Sequence, residues 1–419
     1  MKEKCLLLWC LFYFFIAFGQ ADTSQKLVEG RQNSIEQQSK PYVILISADG
    51  FRYDYAEKYH ADHLLALANQ GVKATAMIPS YPSLTFPNHY TIITGLYPAH
   101  HGLVNNYFYD PRRKQSFSMH DPKAVTNGSW YGGTPLWVLA EQQYLLSASF
   151  FWVGSEASIK GILPTYYSRF NDSMSIDARI RDVVNWLNLP VEKRPHLITF
   201  YLSQVDRAGH RYGPDAPETA DAVRWVDSTI EKLTDAVART GLSVNFIFVS
   251  DHGMTEVDTD HTLSLPSHID TSKFIIPRGA ELLELYAKDK NDISDTYERM
   301  KKEDIAFNVY LKSEMPARLH YSDKDDVMNR IGDILLVPKW PKIFNLSARQ
   351  PDAGAHGYDP YVVRDMLATF YAWGPAFKDH LEIPAFENVN VYPIVTAILG
   401  LKYTDKIDGS KKIADEILK

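Results

Sequence analysis

The segment from Pro79 to Gly95, PSYPSLTFPNHYTIITG, places a lone threonine hydroxyl where a helix is expected to begin. Pro87 suits a first helical turn, because its φ is already helical and its missing N–H would be unpaired there. Gly95 is a plausible C-terminal stop. Thr85 would then lie at the positive N-terminal end of a short helix, a location that attracts anions such as phosphate. The alternative, more usual for a threonine near a proline, is that Thr85 only caps the helix.

Carboxylates and imidazoles recur near the ends of apolar runs that predict β-strands. An aspartate follows three of these runs. A histidine comes four residues after the second aspartate (DRAGH), directly after the third (DHG), and again in GAHGYDP. Open α/β sheets bind their ligands at the carboxyl ends of strands. Any one of these residues could be an ordinary turn residue, but together they favour a common site. The six residues are Asp49, Asp206, His210, Asp251, His252 and His356.

This set of residues has the chemistry of a metal site. Imidazoles and carboxylates without a thiolate suit Zn²⁺, although Mn²⁺ or Co²⁺ could occupy the same ligands. Six ligands are too many for one tetrahedral ion but enough for two, if Thr85 or a substrate completes the shell. Two metal ions can clamp the attacking and leaving oxygens of an in-line phosphoryl displacement. A Thr85 hydroxyl on one ion would lose its proton near neutral pH and act as the nucleophile.

The elements that must position these residues follow from the hydrophobic pattern. Continuous apolar runs such as PYVILIS and VNFIFVS alternate with amphipathic helical patterns, which predicts a largely parallel sheet with helices on both faces. Residues 41–419 are therefore predicted to form one α/β catalytic domain. From about 268 to 345 the pattern becomes charge-rich and irregular, which indicates a small inserted α+β cap.

Composition bounds the function classes. The 419 residues are 45% hydrophobic and 13% aromatic, which is ample for a core and carries no sign of disorder. A net charge of −7 gives no electrostatic case for binding a nucleic-acid duplex or an acidic membrane. A small anionic substrate stays possible, because a metal ion can reverse the local field.

The N-terminal segment predicts export. Residues 1–21 carry two lysines, a short apolar run and small residues, as in a cleaved signal peptide. Residues 22–40 are polar and are interpreted as a linker. Cys5 and Cys10 are the only cysteines, so the mature chain would have no disulfide, which favours a bacterial periplasmic or secreted protein. An uncleaved or lipidated anchor is the alternative.

The motifs PSYPSLTFPNHYTIITGLYPAHHG, ADG, DRAGH, SDHG and GAHGYDP occur in an order that resembles the nucleotide pyrophosphatase/phosphodiesterase family of the alkaline phosphatase superfamily. The resemblance runs from about Pro41 to the C-terminus and implies an alkaline phosphatase-like fold. It also implies two Zn²⁺ ions per chain. One would be held by Asp206, His210 and His356. The other would be held by Asp49, Asp251, His252 and the oxygen of Thr85.

The resemblance also implies residues that bind the substrate. Asn106, in GLVNNYFYD, matches the asparagine that hydrogen-bonds a phosphate oxygen beside the nucleophile. Phe86 and Tyr201 match aromatic residues that stack on a nucleobase, and Phe170 falls near a third. For Tyr201 and Phe170, ordinary core packing is the alternative. No arginine is near Thr85 in sequence, and a neutral Asn106 donor suits the single charge of a diester better than a monoester.

These observations predict hydrolysis of nucleotide phosphodiester or pyrophosphate bonds, with a phospho-threonine intermediate on Thr85 and release of nucleoside 5′-monophosphates. A monomer acting on small nucleotides is favoured. The alternatives are a lysophospholipid or choline phosphodiesterase, a phosphomonoesterase, or a non-catalytic protein that binds metal or nucleotide. A Ser-His-Asp hydrolase and a P-loop protein are disfavoured, because neither G-x-S-x-G nor G-x-x-x-x-G-K occurs.

Overall fold

Apolar runs rich in β-branched residues, such as YVILISA, form the central strands of the protein. The computed structural model describes residues 25–302, 306–347 and 349–419. The strands of these residues are β1 (Lys26–Leu27), β2 (Tyr42–Ala48), β3 (Val72–Ala74), β4 (Met77–Ile78), β5 (Tyr107–Asp110), β6 (Gln115–Ser118), β7 (Ser147–Phe150), β8 (Tyr166–Ser168), β9 (Leu197–Leu202), β10 (Val244–Val249), β11 (Thr255–Glu256), β12 (Phe274–Ile275), β13 (Leu283–Ala287), β14 (Phe307–Leu311), β15 (Ile334–Pro338), β16 (Gly354–Ala355), β17 (Phe370–Trp373), β18 (Leu381–Ile383) and β19 (Phe386–Glu387).

Helices lie in several of the connections between these strands. The longest of them, PETADAVRWVDSTIEKLTDAVA, buries apolar residues at three- and four-residue intervals. The α-helices of the described residues are α1 (Tyr55–Lys58), α2 (Asp62–Gln70), α3 (Thr85–Thr94), α4 (Pro98–His101), α5 (Pro122–Val125), α6 (Leu136–Gln142), α7 (Ile176–Leu187), α8 (Gln204–Tyr212), α9 (Pro217–Ala238), α10 (Asp292–Lys301), α11 (Val391–Leu399) and α12 (Lys412–Ile417).

Nine strands make the main sheet, in the order β1-β8-β7-β9-β2-β10-β17-β3-β18. Five of the eight neighbouring pairs are parallel and three are antiparallel. The predicted mostly parallel sheet is therefore confirmed. Its centre is the parallel trio β9-β2-β10, in which Ser47 pairs with Tyr201 on one side and with Val249 on the other. The chain segments that leave these three strands consequently start from the same edge.

Both faces of the sheet are covered. Val43 and Leu45 of β2 belong to an apolar cluster that includes residues of α3, α6 and α11. Ile44 and Ile46 belong to a second cluster with residues of α2, α7 and α9. Successive strand residues point to opposite faces, so this alternation confirms the predicted layer of helices on each side.

The region described above as an inserted α+β unit has a sheet of its own. Strands β12, β13, β15 and β14 pair antiparallel in that order, and α10 packs on them through a separate apolar cluster. This unit is also tied to the main domain by a buried ion pair. The guanidinium of Arg330 donates to Asp110 at 2.9 Å, and to the carbonyls of Gly102 at 2.8 Å and Trp130 at 2.6 Å.

The N-terminal segment differs from the predicted linker. Lys26–Leu27 pairs antiparallel with β8 at the edge of the main sheet. Asn33 is buried; its amide donates to the carbonyls of Val191 and Arg194, and its oxygen accepts from the N–H of Leu146. A polar segment behaves as a linker only when its polar groups have no partners in the folded domain. Here the side chain of Asn33 is hydrogen-bonded to three backbone groups of that domain. The predicted signal peptide, residues 1–21, lies outside the described residues. Within the described part of the chain, none of the helices has the length and apolar character needed to cross a bilayer.

We expect the Arg330→Ala variant to lose about 3–5 kcal/mol of unfolding free energy, because it leaves the Asp110 carboxylate buried without its partner. Arg299→Ala is the matched control. Arg299 pairs with Asp295 on the surface, and such a pair contributes about 1 kcal/mol or less. Urea denaturation followed by circular dichroism measures both. Equal stability of the two variants would contradict the structural role of the buried pair.

Candidate active site

Thr85 is the first residue of α3, and the preceding Leu84 occupies the N-cap position in an extended conformation. The Thr85 hydroxyl is therefore not the helix cap, which removes the alternative raised from the sequence. The helix ends at Gly95, whose φ of 68° is in the left-handed region that favours glycine. Both predicted boundaries of this helix are confirmed. The Oγ1 atom of Thr85 lies 3.3 Å from Nε2 of His252.

The three aspartates converge at the carboxyl edge of the central strands. Asp49 directly follows β2, and Asp251 comes two residues after β10. Asp206 differs from the prediction, because β9 ends at Leu202 and Asp206 belongs to the first turn of α8. Asp206 and His210 are thereby one helical turn apart on the same face. The backbone N–H of Asp206 donates to the carbonyl of Asp49 at 3.0 Å, which holds α8 against the end of β2.

The three histidines are oriented alike. The Nδ1 atom of each contacts a backbone carbonyl oxygen: His210 with Gly354 at 2.8 Å, His252 with Gly253 at 2.8 Å, and His356 with Ser83 at 2.9 Å. A carbonyl accepts hydrogen bonds only, so Nδ1 carries the proton in each ring. The lone pair of Nε2 is left to face the site, which is the usual arrangement of metal-binding histidines.

The first predicted ligand set fits a dication. Nε2 of His210 lies 3.0 Å from Nε2 of His356, and Oδ1 of Asp206 lies 3.3 Å and 3.4 Å from these two atoms. With both protons on Nδ1, two lone pairs and a carboxylate oxygen face one another. Such an arrangement is repulsive unless positive charge, from a metal ion or from a second proton on one ring, lies between them. The structure therefore brings Asp206, His210 and His356 together as a candidate metal group.

The second predicted set adjoins the first. Nε2 of His252 lies 2.9 Å from Oδ2 of Asp251 and 3.4 Å from Oδ1 of Asp49. Among the described residues, Asp49 Oδ1, Asp206 Oδ1 and Asp251 Oδ2 are buried and accept no hydrogen bond of normal geometry. Buried carboxylate oxygens are rarely left in this state, so these orphaned acceptors also fit bound cations.

The pKa values of the site residues also indicate that the carboxylates need positive charge beside them. Burial, with repulsion from Asp251 and Asp206, raises the pKa of Asp49 well above its usual range. Burial alone would also raise the pKa of Asp206, but His210 and the other nearby histidines lower it to about 2. Burial lowers the pKa of His210, and the Asp206 carboxylate outweighs this and raises it to about 9. Three carboxylates at one point, two of them fully buried, stay charged only beside compensating positive charge.

Sequence reasoning missed His89, which lies one turn after Thr85 in α3. Its Nδ1 contacts the carbonyl oxygen of Thr85 at 3.0 Å and is 3.2 Å from Oδ2 of Asp251, while Nε2 contacts the hydroxyl of Ser47 at 2.9 Å. The ring is fully buried. His89 therefore links the helix of the candidate nucleophile to a candidate ligand. The four-residue spacing from Thr85 was the available signal, because such residues share a helix face.

The predicted substrate residues lie around this cluster. The side-chain oxygen of Asn106 accepts the N–H of Phe86 at 2.9 Å, which leaves the amide NH₂ as a donor next to Thr85. The Tyr201 hydroxyl donates to Oδ2 of Asp49 at 2.5 Å. Phe170 is half-exposed, and its ring centroid is 6.3 Å from that of Tyr201.

Phe86 makes a different ring contact. Its centroid lies 5.9 Å from that of Phe117, which belongs to a buried aromatic group with Phe108 and Trp130. The structure therefore pairs Phe170 with Tyr201, while Phe86 packs towards the β5–β6 hairpin. The packing alternative does not account for the exposed face of Phe170.

We expect Zn²⁺ to raise the melting temperature of chelator-treated protein, because an ion that binds only the folded state stabilises it. His356→Ala should weaken this response and lower the bound zinc measured by elemental analysis. His261→Ala is the control, because His261 is an exposed histidine paired with Asp258. A melting temperature that does not respond to zinc in the unmodified chain would contradict the metal assignment.

Comparison with known proteins bears on the chemistry of this site. Ectonucleotide pyrophosphatase/phosphodiesterase family member 1 of Mus musculus is 36% identical over 380 residues, which are 86% of this chain and 41% of the mouse protein. Venom phosphodiesterase of Macrovipera lebetinus is 35% identical over 376 residues, which are 86% of this chain and 43% of the venom protein. The chain thus spans less than half the length of these curated relatives.

Solved structures share the fold. Murine ectonucleotide pyrophosphatase/phosphodiesterase 5 aligns with a TM-score of 0.83 and 28% identity, over 90% of this chain and all of the murine one. The same murine protein is known as an inactive threonine-to-alanine variant in complex with AMP. These likenesses confirm the alkaline phosphatase-like fold class.

A family model for type I phosphodiesterases and nucleotide pyrophosphatases matches residues 43–359, a stretch that contains every predicted site residue. The chain belongs to the type I phosphodiesterase/nucleotide pyrophosphatase family.

Proposed function

We propose that this protein hydrolyses nucleotide phosphodiester and pyrophosphate bonds and releases nucleoside 5′-monophosphates. The observation that carries the proposal is the position of Thr85, whose hydroxyl lies at a helix N-terminus 3.3 Å from Nε2 of His252. A cluster of carboxylates and imidazoles that includes His252 adjoins it. The names of the relatives and the AMP bound to the murine protein support the nucleotide substrate.

Two Zn²⁺ ions are proposed as the cofactors. Asp206, His210 and His356 would hold one ion, and Asp49, Asp251, His252 and the Thr85 oxygen would hold the other. When bound, such ions lower the pKa of the Thr85 hydroxyl and stabilise negative charge on the leaving oxygen. No histidine in the cluster is then needed as a general base, which agrees with the use of all three Nδ1 atoms to contact carbonyls.

The reaction is proposed to take two in-line steps at phosphorus. Oγ1 of Thr85 forms a bond to phosphorus as the bond to the leaving oxygen breaks, and the hydroxyl proton leaves to solvent. Water then attacks the phospho-threonine, releases the nucleoside monophosphate and restores the Thr85 hydroxyl. The Asn106 amide donates to a non-bridging phosphate oxygen in both steps, and the N-terminal end of α3 favours its negative charge.

The nucleobase is proposed to stack against Phe86 and the Phe170–Tyr201 pair, whose rings meet edge to face with centroids 6.3 Å apart. The Tyr201 ring is held by the bond from its hydroxyl to Asp49, so the stacking face is fixed at one distance from the phosphate site. Phe170 offers an exposed ring at low cost in side-chain entropy. The Asn106 donor is neutral and therefore suits the single charge of a diester better than the double charge of a monoester.

We expect p-nitrophenyl thymidine monophosphate to be hydrolysed faster than p-nitrophenyl phosphate or p-nitrophenyl phosphorylcholine, and EDTA to abolish the activity. Faster hydrolysis of the choline ester would agree with the proposed roles of Thr85 and the metal ligands but would contradict the proposed stacking of a nucleobase. A faster monoester would contradict the argument from Asn106. No turnover of any of the three esters would favour a non-catalytic binding protein.

We expect Thr85→Ala to lower kcat by at least about 1000-fold, because it removes the attacking atom. Bound zinc should change little, since histidine and aspartate ligands remain in both sets. Thr85→Ser keeps a hydroxyl and should retain part of the turnover. Activity of Thr85→Ala near that of the unmodified chain, or inversion of configuration at phosphorus, would replace the covalent step by direct attack of water.

A further inference from the structure

A buried carboxylate of the inserted sheet takes no part in the proposed reaction. Glu284 of β13 is 2% exposed. One carboxylate oxygen, Oε1, accepts from the N–H of Gly332 at 3.1 Å and the hydroxyl of Tyr321 at 3.2 Å. The other, Oε2, accepts from the amide of Asn105 at 3.3 Å. All of these donors are neutral, and burial raises the pKa of Glu284 to about 7. A charge that is buried among neutral partners costs stability. We therefore expect this carboxylate to serve a function through the residues to which it is hydrogen-bonded.

Glu284 holds the residue that precedes Asn106. The amide NH₂ of Asn105 donates to Glu284, and its oxygen accepts the N–H of Tyr107 at 3.4 Å. The Asn105 side chain therefore bridges the backbone on both sides of Asn106. The carbonyl of Asn106 accepts the N–H of Met119 at 3.0 Å. The proposed phosphate donor thus lies on a short loop that is restrained at each end.

The surroundings of Glu284 are built for this contact. A Cβ atom on Gly332 would lie 2.9 Å from Cβ of Glu284, so only glycine allows the N–H to approach the carboxylate this closely. The hydroxyl of Tyr321 is also 3.0 Å from the carbonyl of Val104, and its ring packs edge-on against Tyr81 at 5.4 Å. Tyr81 lies in the loop that leads to Thr85. The inserted unit therefore touches the chain on both sides of the phosphate site.

We propose that Glu284 is a positioning residue for Asn106: through Asn105 it aims the Asn106 amide at the phosphate, so that the inserted sheet is part of the reaction machinery. This inference rests on the proposed phosphodiesterase function. Because the Asn106 amide stabilises charge that develops in the transition state, a loss of aim lowers kcat more than it changes KM.

Glu284→Gln tests this with almost no change of shape. The Gln oxygen can still accept from Gly332 and Tyr321, but its NH₂ then faces the NH₂ of Asn105, and two donors oppose each other. Turning the Asn105 amide relieves the clash but takes its oxygen away from the N–H of Tyr107, and turning the Gln amide instead sets its NH₂ against the N–H of Gly332. We expect kcat on the thymidine diester to fall about 10- to 100-fold, less than the largest losses seen when such a donor is removed outright, with KM and bound zinc little changed.

The double variant Glu284→Gln with Asn105→Asp provides the rescue. The carboxylate introduced by Asn105→Asp would accept the Gln NH₂ with one oxygen and the Tyr107 N–H with the other, which restores both bonds with donor and acceptor exchanged. We expect kcat to return to within about 3-fold of the unmodified chain, as coupling between contacting groups requires. In an Asn106→Ala background, Glu284→Gln should have no further effect on kcat.

Glu141→Gln is the matched control. Glu141 is a buried carboxylate that accepts from Ser147 and Thr165 and pairs with Arg31 at 3.2 Å. Ser147 lies at the start of β7, at the opposite end of the strands from the site, so substitution of Glu141 should lower the melting temperature and leave kcat unchanged. Equal kcat for Glu284→Gln and the active unmodified chain, or failure of the rescue, would overturn the role of Glu284. An inactive unmodified chain would instead overturn the proposed function.

Discussion

The repulsion among Asp49, Asp206 and Asp251 at one edge of the sheet is the constraint on which the rest of the structure depends. Charges a few ångströms apart repel far more strongly inside a protein than in water, because the effective dielectric constant is lower. Such a group can be held only by a rigid support with compensating positive charge near it. The central trio of parallel strands supplies the support, since β2 is hydrogen-bonded along its length to β9 on one side and to β10 on the other.

The orientation of the histidines depends on groups that do not titrate. The backbone carbonyls of Ser83, Gly253 and Gly354 contact the three Nδ1 atoms, so the direction of each Nε2 lone pair is set by the path of the chain. Gly354 belongs to β16, which pairs with β11. The two-stranded sheet β11–β16 supplies none of the candidate metal ligands, but it fixes the carbonyl that orients the His210 ring. Peripheral elements of this fold thus act on the site through main-chain geometry.

Local sequence patterns predicted the central strands, the start and end of α3 and the residue types of the site. They failed where polar groups are satisfied by distant parts of the chain. The segment around Asn33 has the composition of a linker, yet its amide and oxygen are bonded to residues more than a hundred positions away. His89 was missed for a related reason: its spacing places it on the same helix face as Thr85, but its partners Asp251 and Ser47 come from distant parts of the chain.

By itself, the sequence determined which chemistry was available. Proline and glycine set the ends of α3, and apolar periodicity set the strands whose ends carry aspartate and histidine, because these preferences act over a few residues. Only the tertiary structure decided which groups face one another. His356 meets His210 across 146 positions of the chain, and Glu284 meets Asn105 across 179. Such contacts depend on strand order and on how the inserted sheet packs, which no pattern of neighbouring residues encodes.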